Sequence, residues 1–247
     1  MSGRAPMEWL RIFEPRPRAG SRLFCFPHAG GGAASYRPWT AMLRPDVELV
    51  AVQYPGRQDR FGEPCAESLE ELVAGATAEI AGLLDRPYAF FGHSMGATVA
   101  FEAVRALTAR GLPEPRRLFV SARSAPSESE PVRVDTADDA DLLAHVRGLG
   151  SAGGAHLDAE PRLRPLVLPS LRADLAVVNS YRYRGGEPVR CPVTAIAGST
   201  DHSVGRREIA AWQRHTTLPV ELLELPGGHF YLEESAQRLL SVLNDRV

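Results

Sequence analysis

Short apolar runs alternate with helical stretches along most of this chain, and few architectures accommodate that alternation. Residues 23–26, 47–53, 88–91, 118–121, 193–197 and 220–223 read as strands that are apolar along their length rather than at every second position. Such strands are buried on both faces, as in a parallel sheet covered by helices. The segments between them supply the helices. These are 35–43, a stretch opened by the capping box Ser68-Leu69-Glu70-Glu71 and running to about 84, 95–110 closed by Gly111, 204–215 and 233–244. The expectation is an α/β chain with a mostly parallel central sheet and helices on both faces.

Residues 124–186 interrupt the pattern. They begin with a loop-like run rich in Ser, Glu and Pro, then offer helical pieces at 138–147 and 162–181 and no convincing strand. A helical lid inserted between two strands is expected, because insertions over such a sheet shape access to the site beneath; ordinary crossover helices are the alternative. A length of 247 residues suits a single domain spanning 1–247. The first twenty residues are rich in Arg and Pro and hold no long apolar stretch, so neither a secretion signal nor a membrane span is expected. A formal net charge of −2 gives no pull toward nucleic acid or membrane. The three cysteines, Cys25, Cys65 and Cys191, are widely spaced and form neither a disulfide nor a metal-binding framework, which points to a reducing cytoplasm. Every basic residue is arginine. Codon bias accounts for that blandly, but it also means that any basic docking patch must be built from guanidinium groups. Nothing marks an interface strip, so a monomer is expected.

Gly92-His93-Ser94-Met95-Gly96 has the form G-x-S-x-G and lies directly between a strand and a helix. A serine on that sharp turn stands exposed at the C-terminal edge of the sheet, beside the free N–H groups of the following helix. Its hydroxyl needs a base. His229, in Leu225-Pro226-Gly227-Gly228-His229-Phe230, sits in the loop before the last helix, and Asp201 follows the strand at 193–197. The chain order Ser94, Asp201, His229 is that of an α/β-hydrolase triad, in which the acid fixes the tautomer of the base and stabilises its charged form. His202, next to Asp201, is expected to be exposed. Two backbone amides must face the developing oxyanion. Met95 supplies one and Ala29, in His28-Ala29-Gly30, the other. The glycine run 30–32 fits neither nucleotide-binding pattern, since no lysine exists and G-x-G-x-x-G is absent.

With these residues assembled, the sequence resembles the type II (editing) thioesterases of polyketide and nonribosomal-peptide biosynthesis over nearly its whole length. The pieces that carry the resemblance are Phe26-Pro27-His28-Ala29-Gly30-Gly31, Tyr54-Pro55-Gly56-Arg57 with Arg60, the segment from Phe91 to Ala97, Leu171-Arg172-Ala173-Asp174, Gly198 with Asp201, and Pro226-Gly227-Gly228-His229-Phe230. The tract from Gly150 to Ala155 looks looser than the family's usual glycine turn. Arg57 and Arg60 have a plainer reading as structural ion pairs in a loop. The resemblance implies an α/β-hydrolase fold that needs no metal or organic cofactor. It also implies hydrolysis of short, aberrant acyl groups from the phosphopantetheine arm of a carrier protein, which must be a separate partner because no carrier domain is recognisable in this chain. Carrier proteins are acidic, and arginines at 133, 147, 162, 164, 172, 182 and 184 are candidates to dock one. The competing readings are a medium-chain acyl-carrier thioesterase, a small-ester carboxylesterase, an acyltransferase on the same triad, and an inactive binding protein.

Overall fold

The structure, a computed structural model, describes residues 7–247, so the first six residues of the Arg- and Pro-rich stretch lie outside it. Among the described residues seven strands make one sheet: β1 (Leu10–Arg11), β2 (Ser21–Phe26), β3 (Val47–Val52), β4 (Tyr88–His93), β5 (Arg117–Ser121), β6 (Val193–Gly198) and β7 (Glu221–Leu225). Their order is β1-β3-β2-β4-β5-β6-β7, with every neighbour parallel except β1, which pairs antiparallel with β3. All residues of β2, β3 and β4 are buried, which is why those runs are mostly apolar; the charged exceptions, Arg22 of β2 and Glu48 of β3, pair with each other at 2.7 Å. The edge strand β7 instead alternates half-buried and exposed positions.

Eight α-helices among the described residues accompany the sheet: α1 (Leu69–Ile80), α2 (Met95–Ala109), α3 (Asp139–Gly148), α4 (Ala152–Ala159), α5 (Arg164–Ser180), α6 (Arg206–Ala210), α7 (Tyr231–Glu234) and α8 (Ala236–Asn244). On one face Leu72, Ile80, Val99, Phe101 and Trp212 pack against Phe24, Phe90 and Val120. On the other, Tyr36, Trp39, Leu239 and Leu243 pack against Leu23, Cys25, Phe91 and Phe119. The chain steps outward from β2 to β3 and then returns to the other side of β2 to enter β4. At such a switch the loops leaving the two adjacent strands diverge, and a crevice opens at their C-terminal ends.

Several elements differ from the sequence expectation. The helix expected at 35–43 is a 3-10 helix over Ala33–Ala41 that contains Pro38. The capping box is half-formed: Ser68 Oγ accepts from Glu71 N–H at 3.1 Å, but the Glu71 carboxylate reaches back to Glu67 N–H at 2.9 Å rather than to Ser68. The segment at 204–215 is α6 followed by a 3-10 helix over Ala211–His215. The last helix is broken into α7 and α8 at Ser235, whose hydroxyl donates to the Pro226 carbonyl at 2.7 Å.

The connection from β5 to β6 carries α3, α4 and α5. The supposedly loose glycine tract is largely helical, because Ser151 caps α4 by accepting from Gly153 N–H at 3.0 Å. Leu142, Leu143, Leu157, Leu168, Leu171 and Leu175 give these three helices a small core of their own. Pro169 lies inside α5, where its missing N–H removes one rung of the helical ladder. Among the described residues no helix is long and apolar enough to cross a membrane.

Candidate active site

Ser94 joins β4 to α2 with φ 54° and ψ −119°, a conformation that costs a non-glycine residue about 1–3 kcal/mol. The surroundings hold it there. Ser94 N–H donates to the Ser121 carbonyl at 2.8 Å, continuing the β4–β5 ladder past the strand end. A Cβ on Gly92 would lie 2.2 Å from the Gly96 carbonyl oxygen, and one on Gly96 would lie 2.0 Å from that of Phe26. Both obstacles are backbone, so the strand, the turn and the helix close together only because these two positions lack side chains.

The loops after β6 and β7 meet in the same way. A Cβ on Gly198 would lie 2.1 Å from the Gly228 carbonyl oxygen, and Thr200 N–H donates to the Gly227 carbonyl at 2.9 Å. That junction sets Asp201 Oδ2 at 2.9 Å from His229 Nδ1. The Asp201 side chain is 1 % exposed and that of His229 7 %. Burial pushes the Asp201 carboxyl up, but hydrogen bonds from His229 and from the hydroxyl and amide of Ser203 outweigh it and hold the group below its usual range. A carboxylate at that distance favours the tautomer with the proton on His229 Nδ1, in which Nε2 is the acceptor nitrogen. Ser94 and His229 both line a cavity of about 960 Å³, walled by Ala29, Met95 and Leu171 among others. Asp201 and His229 are in direct contact, whereas Ser94 shares the cavity with His229 without a hydrogen bond between them among the described residues. His202 is exposed, as expected.

Ser203 is absent from the sequence expectation. Its hydroxyl donates to Asp201 Oδ1 at 2.6 Å, its amide donates to the same oxygen at 2.9 Å, and Oγ lies 2.9 Å from His229 Nδ1. The only signal was the spacing Asp-x-Ser, which favours a local side-chain turn.

After β2 the chain makes a turn in which Gly31 N–H donates to the His28 carbonyl at 3.0 Å. Gly30 N–H donates to Asp174 Oδ2 at 2.7 Å. The amides of Ala29 and Met95 have no acceptor among the described residues. Asp174, from α5, is 1 % exposed and faces Arg57, 3 % exposed, in a two-pronged ion pair. Nη2 donates to Oδ1 at 2.9 Å and Nη1 donates to Oδ2. Two of the family-like motifs thus meet in one buried pair. Burial lowers the affinity of the Arg57 guanidinium for its proton, and Asp174 more than restores it. Arg60 instead pairs with Glu63, Nε to Oε1 at 2.9 Å, and lies over the Trp9 ring.

Three further imidazoles surround His229. Burial, with His229 and Arg57 adding to it, pushes His28 down to about 4. Burial holds His93 far below its ordinary range, and its Nδ1 meets Ser121 Oγ at 2.8 Å. His145 is lowered by burial and by His229. These rings add no positive charge beside His229 at neutral pH.

Residues 21–247 match the profile of the thioesterase domain family. The chain belongs to the thioesterase family. The thioesterase is 42 % identical over 240 residues to thioesterase PikA5 of Streptomyces venezuelae, covering 97 % of this chain and 85 % of that one. It is 35 % identical over 238 residues to the gramicidin S biosynthesis protein GrsT of Aneurinibacillus migulanus, covering 96 % and 92 %. Among solved structures, the type II thioesterase BorB from the borrelidin biosynthetic cluster superposes with a TM-score of 0.89 at 39 % identity, covering 96 % of this chain and 97 % of that one. The enzyme is a thioester hydrolase of the serine-hydrolase type with an α/β-hydrolase fold.

Proposed function

We propose that this thioesterase removes short acyl groups from the phosphopantetheine arms of polyketide or nonribosomal-peptide carrier proteins, with Ser94 as nucleophile, His229 as base and Asp201 orienting the base. The observation that carries this is the Asp201–His229 contact at 2.9 Å on a cavity that also exposes Ser94. His229 Nε2 takes the Ser94 proton as Oγ attacks the thioester carbonyl. The resulting oxyanion lies between the unpaired amides of Ala29 and Met95. The carbon–sulfur bond then breaks, and the carrier thiolate leaves with the proton from His229. Water delivers a hydroxyl to the acyl-serine carbonyl, its proton passing through His229 to Ser94 Oγ, and the free acid departs.

We take residues 1–247 as one domain, and α3, α4 and α5, within 124–186, as a lid over the acyl cavity. Arg147, Arg162, Arg164 and Arg172 are engaged with Asp158, Glu160, Asp158 and Asp139. Arg133, Arg182 and Arg184 are exposed and make no ion pair among the described residues, so they are the better candidates to meet an acidic carrier. We take the enzyme to be a cytoplasmic monomer acting on separate carriers. A cavity of about 960 Å³ also favours a second reading, release of medium-length chains.

The test is hydrolysis of acetyl-, propionyl- and octanoyl-carrier protein against the same acyl groups on a small thiol, with wild type and Ser94→Ala. Faster release from the carrier, lost in the variant and greatest for the short acyl groups, supports the editing function. A preference for octanoyl moves the assignment to chain release, and equal rates on the small thiol remove the carrier protein from it.

A further inference from the structure

In the turn after β2, Gly31 N–H is spent on closing the turn and Gly30 N–H on Asp174, which leaves Ala29 as the free donor. Gly30 has φ +74°, and a Cβ there would lie 3.3 Å from Leu171, so α5 also packs directly on the turn. Arg57 grips the turn from the opposite side, with Nη1 donating to the Gly31 carbonyl at 3.3 Å while Nε holds the Pro55 carbonyl at 3.1 Å. One ion pair therefore touches two successive residues of the turn, accepting from the N–H of Gly30 and donating to the carbonyl of Gly31.

The charges matter as well as the contacts. Asp174 places a buried carboxylate one residue away from the amide that is to stabilise a negative charge. Uncompensated, that carboxylate would oppose formation of the oxyanion, and in a buried site the opposition is only weakly screened. Arg57 cancels it through both guanidinium prongs. We propose that Arg57 and Asp174 are positioning residues for the oxyanion hole: Asp174 removes the competing Gly30 amide and aims that of Ala29, and Arg57 fixes the turn while neutralising Asp174 next to the transition state. The proposal rests on the proposed function, with Ser94 as nucleophile and Ala29 as an oxyanion donor.

The experiment compares Arg57→Gln, Asp174→Asn, the double variant and Arg57→Lys with wild type, using an acyl-N-acetylcysteamine thioester. Two ligands separate the transition state from the ground state. A trifluoromethyl ketone adds to the serine to give an anionic tetrahedral adduct, and an unreactive thioether does not. Thermal unfolding checks that each variant is folded. Arg57→Gln is expected to lower kcat about 100-fold, the scale of losing an oxyanion donor. KM should stay within about threefold, ketone affinity should fall in parallel with kcat, and thioether affinity should hold. The double variant, with no buried charge left, should recover at least part of that kcat, and Arg57→Lys, which keeps the charge, should lose less. If Arg57→Gln does not fold, Asp174→Asn and the double variant carry the same comparison of the two ligands. A ketone and a thioether that weaken together, a loss confined to KM, or a double variant no faster than Arg57→Gln overturns the proposal. Failure of the underlying assignment looks different: wild type would then form no ketone adduct at Ser94, or Ser94→Ala would stay active.

Discussion

Replacing Ser203 by alanine isolates a contribution to the Asp201–His229 contact that neither of those residues reveals. The Ser203 hydroxyl donates to Asp201 Oδ1 at 2.6 Å, and its lone pairs face His229 Nδ1 at 2.9 Å. In Ser203→Ala the carboxylate keeps the Ser203 amide at 2.9 Å and the imidazole at 2.9 Å, so it loses one of three donors and its partners stay in place. A hydrogen bond to a charged group contributes about 1.5–3 kcal/mol. The surviving amide on the same oxygen argues for the lower end, about 1.5 kcal/mol, which corresponds to roughly a tenfold rate effect. The prediction is a fall of about tenfold in kcat/KM on an acyl-N-acetylcysteamine thioester, far short of the ~10⁴-fold expected for loss of Asp201 under its proposed role as triad acid. The decisive assay is a double-mutant cycle. In an Asp201→Asn background the hydroxyl has no carboxylate to serve, so adding Ser203→Ala should change kcat/KM by less than twofold. A folded single variant within twofold of wild type refutes this account. So does an undiminished tenfold loss in the Asp201→Asn background, which would mean that the hydroxyl acts on His229 alone.

Gly96→Ala places a methyl group 2.0 Å from the Phe26 carbonyl and should cost at least the upper end of the ~1–3 kcal/mol typical of overpacking, read as a lowered urea midpoint, together with a loss of kcat. Gly148→Ala is the control: nothing lies within 4 Å of its Cβ, and its midpoint should hold or rise. For pH, His28 and His215 are each pushed down to about 4, chiefly by burial, from an ordinary 6.5. The unfolded chain therefore binds these protons first as pH falls, and stability that is complete above about 6.5 declines toward 4. Urea midpoints at pH 7 and pH 5 should show the lower value at pH 5, and an unchanged or higher midpoint would contradict burial of neutral rings.

The sequence carries the sheet legibly where burial is two-sided, because β2, β3 and β4 have no exposed position and are mostly apolar, their charged exceptions Arg22 and Glu48 being paired inside. It conceals elements whose stability is borrowed. β1 is two residues long, too short for any periodicity, and exists because Leu10 and Arg11 pair with Val52 and Ala51. α4 is built through Gly153 and Gly154, poor helix formers, and depends on the Ser151 cap and on burial of Leu157 among the neighbouring leucines. In the site, Ser94, Asp201 and His229 stand out because chemistry demands those residue types at strand ends. Ser203 does not, since a serine two residues after an aspartate is an ordinary turn. The partnership of Arg57 with Asp174 spans 117 residues and has no local signature.

Pro169 interrupts the ladder of α5 without dividing its packing. Leu168 on one side of the missing rung and Leu171 and Leu175 on the other all pack with the leucines of α3 and α4, and Asp174 reaches the turn after β2. A helix bends most easily where its ladder is interrupted. The packing on both sides of Pro169 nevertheless ties α3 and α4, through α5, to the turn after β2 that Asp174 and Arg57 hold. Under the proposed function, the helices around the acyl cavity and the amides that meet the oxyanion are thereby coupled through a single helix.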